Sequence, residues 1–163
     1  MKQIRRGVFE TNSSSTHSVT VSHEKGLSPF YLYVSEDGYV HAEFGEFGWE
    51  VWDYTDQETR LSYLLTMARH LTGCNEAYWD DDVTDTDDIK NFIDTREFER
   101  INDVVARYGN CKGVWIDNSS GYIDHQSRED YRTIDDFLSE YDTDIEEFIF
   151  GAGVTLHTDN DNH

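Results

Sequence analysis

The spacing of apolar residues along the chain changes several times, and each change marks an element. Ser18-Val19-Thr20-Val21-Ser22 alternates with period two, the signature of a half-buried strand. Residues 3–9 suit an earlier strand. Phe30 to Val34 and Tyr39 to Phe44 are aromatic and β-branched. Asp37-Gly38 between them reads as a hairpin turn, because Gly accepts positive φ. Phe47 to Trp52 supplies a further strand, so the first third predicts an antiparallel sheet. The period then lengthens. Leu61, Leu64, Leu65, Ala68 and Leu71 follow at three- and four-residue steps and build one apolar helical stripe. Thr55 and Glu58 have capping-box spacing at its start, and Gly73 fits its end.

A second helical region spans about Asp87 to Tyr108, with a break expected near Asp94-Thr95. Its buried face is Ile89, Phe92, Ile93, Ile101, Val104, Val105 and Tyr108. Gly113 to Asp117 and Tyr122 to Ser127 look like strands around the turn Asn118–Gly121. Thr133 to Tyr141 and Asp144 to Phe150 read as short helices, and Val154-Thr155-Leu156 as a last strand. The expected architecture is a single α+β domain over residues 1–163, an antiparallel sheet packed against about three to four helices.

Charge changes this picture more than length does. The 163 residues hold 13 Lys plus Arg against 34 Asp plus Glu, a net charge of −21. Lys2, Arg5, Arg6 and Lys25 outnumber Glu10 and Glu24 at the start, so the remainder carries −23. Such a field repels phosphate backbones, whose binding draws on Lys and Arg displacing counterions. Direct nucleic-acid binding and anionic membranes are therefore disfavoured. A basic protein surface, or divalent cations, would be attracted. An aromatic content of 14% argues against disorder. No stretch approaches the ~18 apolar residues a membrane span needs, and no apolar segment follows the N-terminal basic residues. A soluble, cytoplasmic protein is expected. Cys74 and Cys111 form no CxxC and read as structural thiols. His70, four residues before Cys74, suits a helix C-terminus better than a zinc site.

Three polar clusters could carry chemistry. The first is Glu10-Thr11-Asn12-Ser13-Ser14-Ser15-Thr16-His17-Ser18, in which hydroxyls and backbone N–H groups could hold an oxyanion. His17 could serve there as a general base or metal ligand. The ordinary reading is a turn whose side chains bond their own backbone. The second runs from Asp117 through the turn Asn118–Gly121 to Asp124 and His125, a carboxylate beside an imidazole. In a strand these two side chains would point to opposite faces. The third is the tail from Thr158 to His163, read as a frayed terminus. If ordered, Asp159 and Asp161 could offer oxygen ligands to a hard cation. No phosphate-binding Gly loop, H-E-x-x-H or G-x-S-x-G elbow is present.

The segment from Arg6 to Ser18, Arg-Gly-Val-Phe-Glu-Thr-Asn-Ser-Ser-Ser-Thr-His-Ser, resembles the opening of a group of small uncharacterised phage and mobile-element proteins. Asp124-His125-Gln126-Ser127 and Asp159-Asn160-Asp161-Asn162 are similar to other elements of that group. The resemblance covers roughly the first 20 residues and these two patches. It implies a phage or plasmid origin, carries no established activity, and hints that the three clusters belong together. A convergent pocket would draw on Asn12, Ser13, Ser15, His17, Asp124, His125 and Asp159.

The acidic runs offer a different chemistry. Glu76, Asp80, Asp81, Asp82, Asp85, Asp87 and Asp88 fall in one stretch with no Lys or Arg. Residues 129–147 carry nine acids, Asp135, Asp136, Glu140 and Asp142 among them, against Arg132 alone. The ordinary role of such runs is a solvated face. A sharper one is mimicry of duplex DNA, which presents about one charge per 1.7 Å of axis. Trp79, Tyr78, Tyr131 and Tyr141 lie among the acids, and such aromatics anchor interfaces. The favoured expectation is an accessory protein that occupies the basic groove of a host nuclease or of a restriction or CRISPR effector. One alternative is a small hydrolase or transferase acting on a phosphorylated or nucleotide substrate, with His17, Asp124 and His125 catalytic and Asn12, Ser13, Ser15 and Asp159 binding. The other is a virion or assembly accessory protein. No cofactor is expected beyond a divalent cation.

Overall fold

The computed structural model describes residues 15–48, 51–74, 85–118, 120–123 and 131–160. Its centre is helix α1 (Gln57–Leu71), which is buried on nearly every side, with Tyr63, Leu64, Leu65, Met67 and Ala68 fully inaccessible. The sequence showed one apolar stripe, but Tyr63, Thr66 and Met67 lie inside as well. A helix apolar or buried all round belongs at the middle of a fold. Its N-cap is Asp56, one residue later than Thr55. The Asp56 carboxylate accepts from the Thr59 N–H at 2.7 Å, which places Glu58 in the first turn and outside any capping box. Gly73, at φ 73°, ends the helix as expected.

Helices α2 (Asp85–Ile93) and α3 (Arg96–Gly109) break at Thr95, whose hydroxyl accepts from the Phe98 N–H. Helix α4 (Ile134–Glu140) opens with a complete capping box between Thr133 and Asp136, and α5 (Ile145–Phe150) is capped by Asp144. All of these breaks and starts are where the residue pattern puts them.

The strands depart further from expectation. Strand β1 (Ser15–Thr20) pairs antiparallel with β7 (Thr155–Asn160), and β7 pairs on its other side with β4 (Trp52–Tyr54). Thr158 to Asn160 of the supposed frayed tail therefore lie in the middle strand of a three-stranded sheet, and Thr158 is 1% exposed. A polar strand end cannot be told from a tail by composition when its partners lie more than a hundred residues away. Two further pairs are parallel: β2 (Val40–Ala42) with β5 (Val114–Ile116), and β3 (Glu46–Phe47) with β6 (Tyr122–Ile123). The expected Asp37-Gly38 hairpin survives as a single bridge between Val34 and Val40. The segment read as one strand from Phe47 to Trp52 contributes instead to two sheets, through β3 and β4. Parallel pairing needs a long crossover, here the helices α1 to α3.

One apolar cluster joins these elements, and α1 packs against α3, α4, α5, β2 and β6. Two cations lie inside it. Arg60, 2% exposed, donates to the Gly151 carbonyl at 2.9 Å, and burial pulls its pKa down. Arg69 lies over the Phe44 ring at 4.1 Å and donates to the Gly121 carbonyl. Burial of these cations is offset by the Asp56 and Gly151 carbonyls at Arg60, and by the Gly121 carbonyl and the Phe44 ring at Arg69. Cys74 and Cys111 are half-buried at the rim of the cluster.

Candidate functional site

Of the residues the sequence clusters nominate, His17 is brought into the core, among tyrosines rather than among the other candidates. His17 faces the interior from β1, and its Nδ1 lies 3.0 Å from the Tyr63 hydroxyl. Burial raises the Tyr63 pKa well above the ordinary phenol value, with Tyr141 adding to the effect. Tyr141 donates to the His17 carbonyl at 3.4 Å, and Phe137 packs its ring against Tyr63, Tyr131 and Tyr141. The Tyr131 and Tyr141 hydroxyls, both raised chiefly by burial, bond each other. All four polar side chains thus have partners within an aromatic core.

Asp159 follows a different direction. In the β1–β7 register His17 lies opposite Thr158, while Asp159 lies one residue further along. Successive strand residues face opposite sides, so His17 and Asp159 point away from each other. This corrects the expected pocket containing both. Asp159 belongs with His157, whose Nδ1 lies 2.6 Å from Asp53, a pairing no spacing in the sequence announces. Ser15 pairs through its backbone with Asn160, so the first and third clusters do border each other. Asn12, Ser13, Asp124 and His125 lie outside the described residues.

The nominated acids divide as well. Asp88 is 3% exposed and presents nothing to a partner, contrary to expectation, because it faces the core side of an amphipathic helix. Asp135 forms a bidentate pair with Arg100, and Asp136 is held in the α4 capping box. These two carboxylates already have their partners, so they do not make the open anionic surface expected of them. Asp87, Glu140 and Asp142 are exposed, with Asp142 at 3.7 Å from His23. Of Asp85 only the backbone of α2 is described, and Glu76, Trp79, Asp80, Asp81 and Asp82 lie outside the described residues.

An organised anionic feature does exist, elsewhere. Between the β2·β5 and β3·β6 pairs, Glu43 to Gly45 and Asp117 part company, and the first turns of α1 run alongside. The result is an open groove of about 490 Å³. Leu32, Phe44, Phe47 and Leu61 form apolar walls, and Glu43, Glu46, Glu58 and Asp117 supply four carboxylates. No Lys or Arg lines it among the described residues. Ser62 donates to the Glu43 carbonyl at 2.8 Å, and Gly45 N–H donates to Thr66 at 3.0 Å, which fixes the groove wall to α1. Gly45 is required by space: a Cβ there would strike the Phe47 ring and the Ser62 hydroxyl.

The single imidazole of the groove is already neutralised. His41 Nδ1 lies 2.8 Å from Asp117, and its Nε2 lies 2.9 Å from Asp37. Both ring nitrogens face carboxylates, so hydrogen bonds donated to Asp37 and then to Asp117 raise the His41 pKa. Asp37 moves the opposite way, held low first by the Ser35 hydroxyl and then by the Tyr39 N–H and His41. The carboxylates of Glu43, Glu46 and Glu58 form no hydrogen bond or ion pair with the described residues, and all three residues are exposed. Of the groove carboxylates the sequence singled out Asp117 as the start of a polar cluster and Glu58 only as a helix-capping residue. Successive groove carboxylates lie 3, 12 and 59 positions apart in the chain, too scattered to register as a run.

No group of three or more His, Cys, Asp or Glu among the described residues is arranged to hold a metal ion, and no described helix is long and apolar enough to cross a membrane. No protein-family model, curated protein or solved structure matches this chain. What the site defines is an acidic, apolar-walled groove on an α+β scaffold.

Proposed function

We propose that this chain is an acidic binding protein whose groove receives lysine and arginine side chains from the nucleic-acid-binding face of another protein. By occupying that face it would inhibit the partner. The supporting observation is the groove lining itself: four carboxylates with no Lys or Arg, set in a chain of net charge −21. Long-range attraction of a basic surface would make association fast and salt-sensitive. Apolar walls would then hold the aliphatic stems of the bound side chains. The resemblance of the opening segment to phage and mobile-element proteins makes a host nuclease, or a restriction or CRISPR effector, the target class to test first.

A competition experiment addresses this reading. The chain is titrated into complexes of such effectors with labelled duplex DNA, at low and at high salt. Displacement of DNA at low salt that weakens as salt rises supports it. Displacement unaffected by salt, or none from any basic partner, overturns it.

The catalytic alternative draws its support from one contact, the Ser15–Asn160 pairing that borders two polar clusters. Phosphatase and phosphodiesterase assays on the wild-type chain and on His17→Ala and Asp124→Asn variants test it directly.

A further inference from the structure

The outer face of the β2–β5 pair, at the rim of the groove, is aromatic. His41 and Trp115 are paired in register and both point outward, with ring centroids 6.4 Å apart. Tyr39 meets Trp115 edge-on at 5.9 Å. The bridge between Val34 and Val40 turns Tyr33 outward on the same side as His41. Trp115 is 54% exposed, Tyr33 78% and Tyr31 72%. Scattered exposed aromatics need no explanation. Here, however, Trp115 shares one rim with Asp37 and Asp117 through His41, and these two carboxylates have side chains 50% and 38% exposed. One cation already rests on a ring in this patch: the Lys112 ammonium sits 5.3 Å from the Tyr39 centroid and donates to the Asp37 carbonyl at 2.7 Å.

Resting on the groove reading above, we infer that this rim selects arginine over lysine in the basic segment of the partner. A planar, weakly hydrated guanidinium would stack on the exposed Trp115 face while an N–H meets the second carboxylate oxygen of Asp117, whose first oxygen faces His41. A compact ammonium keeps its water and gains less from the ring. The occupant is thus an arginine-bearing segment of a basic protein, identified by charge complementarity with the carboxylates and by the unoccupied indole beside them. Lysines enter the groove without using the rim.

Two peptides of equal length and charge serve as probes, one with arginines and one with lysines spaced by glycine, titrated into the full chain at low salt. The arginine peptide should bind roughly two- to fivefold more tightly, the range one exposed cation–π contact supplies. It should also quench more indole emission in wild type than in Trp115→Ala. Trp115→Ala and Tyr33→Ala should bring the two affinities together while lysine binding changes less than about twofold. Both side chains are exposed, so both variants should fold, and circular dichroism checks this. Equal affinities in wild type, or a preference that survives both substitutions, overturns arginine selection while leaving the groove reading in place. Failure of both peptides to bind wild type overturns the groove reading, and arginine selection with it.

Discussion

The carboxylates of α4 and α5 and those of the groove are the same chemical group put to opposite uses. Asp136 and Asp144 cap helices. Asp135 is clamped by Arg100, Glu146 by Arg107, and Glu147 by His23. Each of these carboxylates is directed at a backbone N–H, a guanidinium or an imidazole of the same chain. Glu43, Glu46 and Glu58 have no such partner among the described residues and border a concave, apolar-walled space. Charge density along the sequence therefore does not locate an interaction surface. Pairing in three dimensions is the better guide: an acid whose field is cancelled locally offers little to a partner, whereas unpaired acids bordering an apolar-walled groove reinforce one another's attraction for a cation.

The interior offers the largest expected effect and a sharp contrast with both acidic regions. Tyr63→Phe removes the hydroxyl that partners His17 and should lower unfolding free energy by about 1–3 kcal/mol, read by denaturant unfolding. Binding of a basic probe to the folded fraction should be unchanged. A loss of binding at full stability would instead place His17 and Tyr63 in the functional site.

Next comes the α4 cap. Thr133→Ala breaks the capping box and should cost about 1 kcal/mol, seen as a lower urea midpoint with an unchanged slope. Neutralising Glu43 and Glu46 should leave stability within about 0.5 kcal/mol, the ordinary range for exposed side chains without partners. If Glu43→Gln proves as costly as Thr133→Ala, the distinction between committed and uncommitted acids fails.

The smallest effect is electrostatic and pH-dependent. His41 has a folded-state pKa above its ordinary 6.5, so its stabilising bridge is fully present below that value. The contribution is lost as pH rises through the raised folded-state pKa, when the imidazolium between Asp37 and Asp117 deprotonates. Asp37, whose pKa is lowered, contributes above its ordinary 3.8 and loses that contribution as pH falls toward its depressed folded-state value. The melting temperature of wild type should therefore decline relative to His41→Gln as pH rises from 6.5 upward. Parallel curves for the two proteins over that window would remove the bridge from the account.

Helices were legible in the sequence because their signals are local. Leu61, Leu64 and Leu65 mark α1, Thr95 marks the break before α3, and Thr133 and Asp144 mark α4 and α5. Strand partners were not. Three residues of β2 or two of β3 hold no information about a parallel partner beyond a crossover of three helices, and register is specified weakly in so short a run. The tail shows the same limit. Thr158 and Asp159 are polar, yet β1 and β4 cover Thr158 from both sides. The groove was invisible for a related reason: Glu43, Glu46, Glu58 and Asp117 become neighbours only after β2, α1 and β5 have assembled.

The central claim is tested most directly by two charge-matched variants assayed for affinity to one arginine-rich peptide. One is Glu43→Gln with Glu46→Gln and Glu58→Gln; the other is Glu140→Gln with Asp142→Asn and Glu146→Gln. Each removes three negative charges, so a response to net charge alone would weaken both equally. The account predicts a loss of roughly tenfold or more for the groove variant, about 1.4 kcal/mol, and less than about twofold for the α4–α5 variant. Equal losses from the two would contradict it.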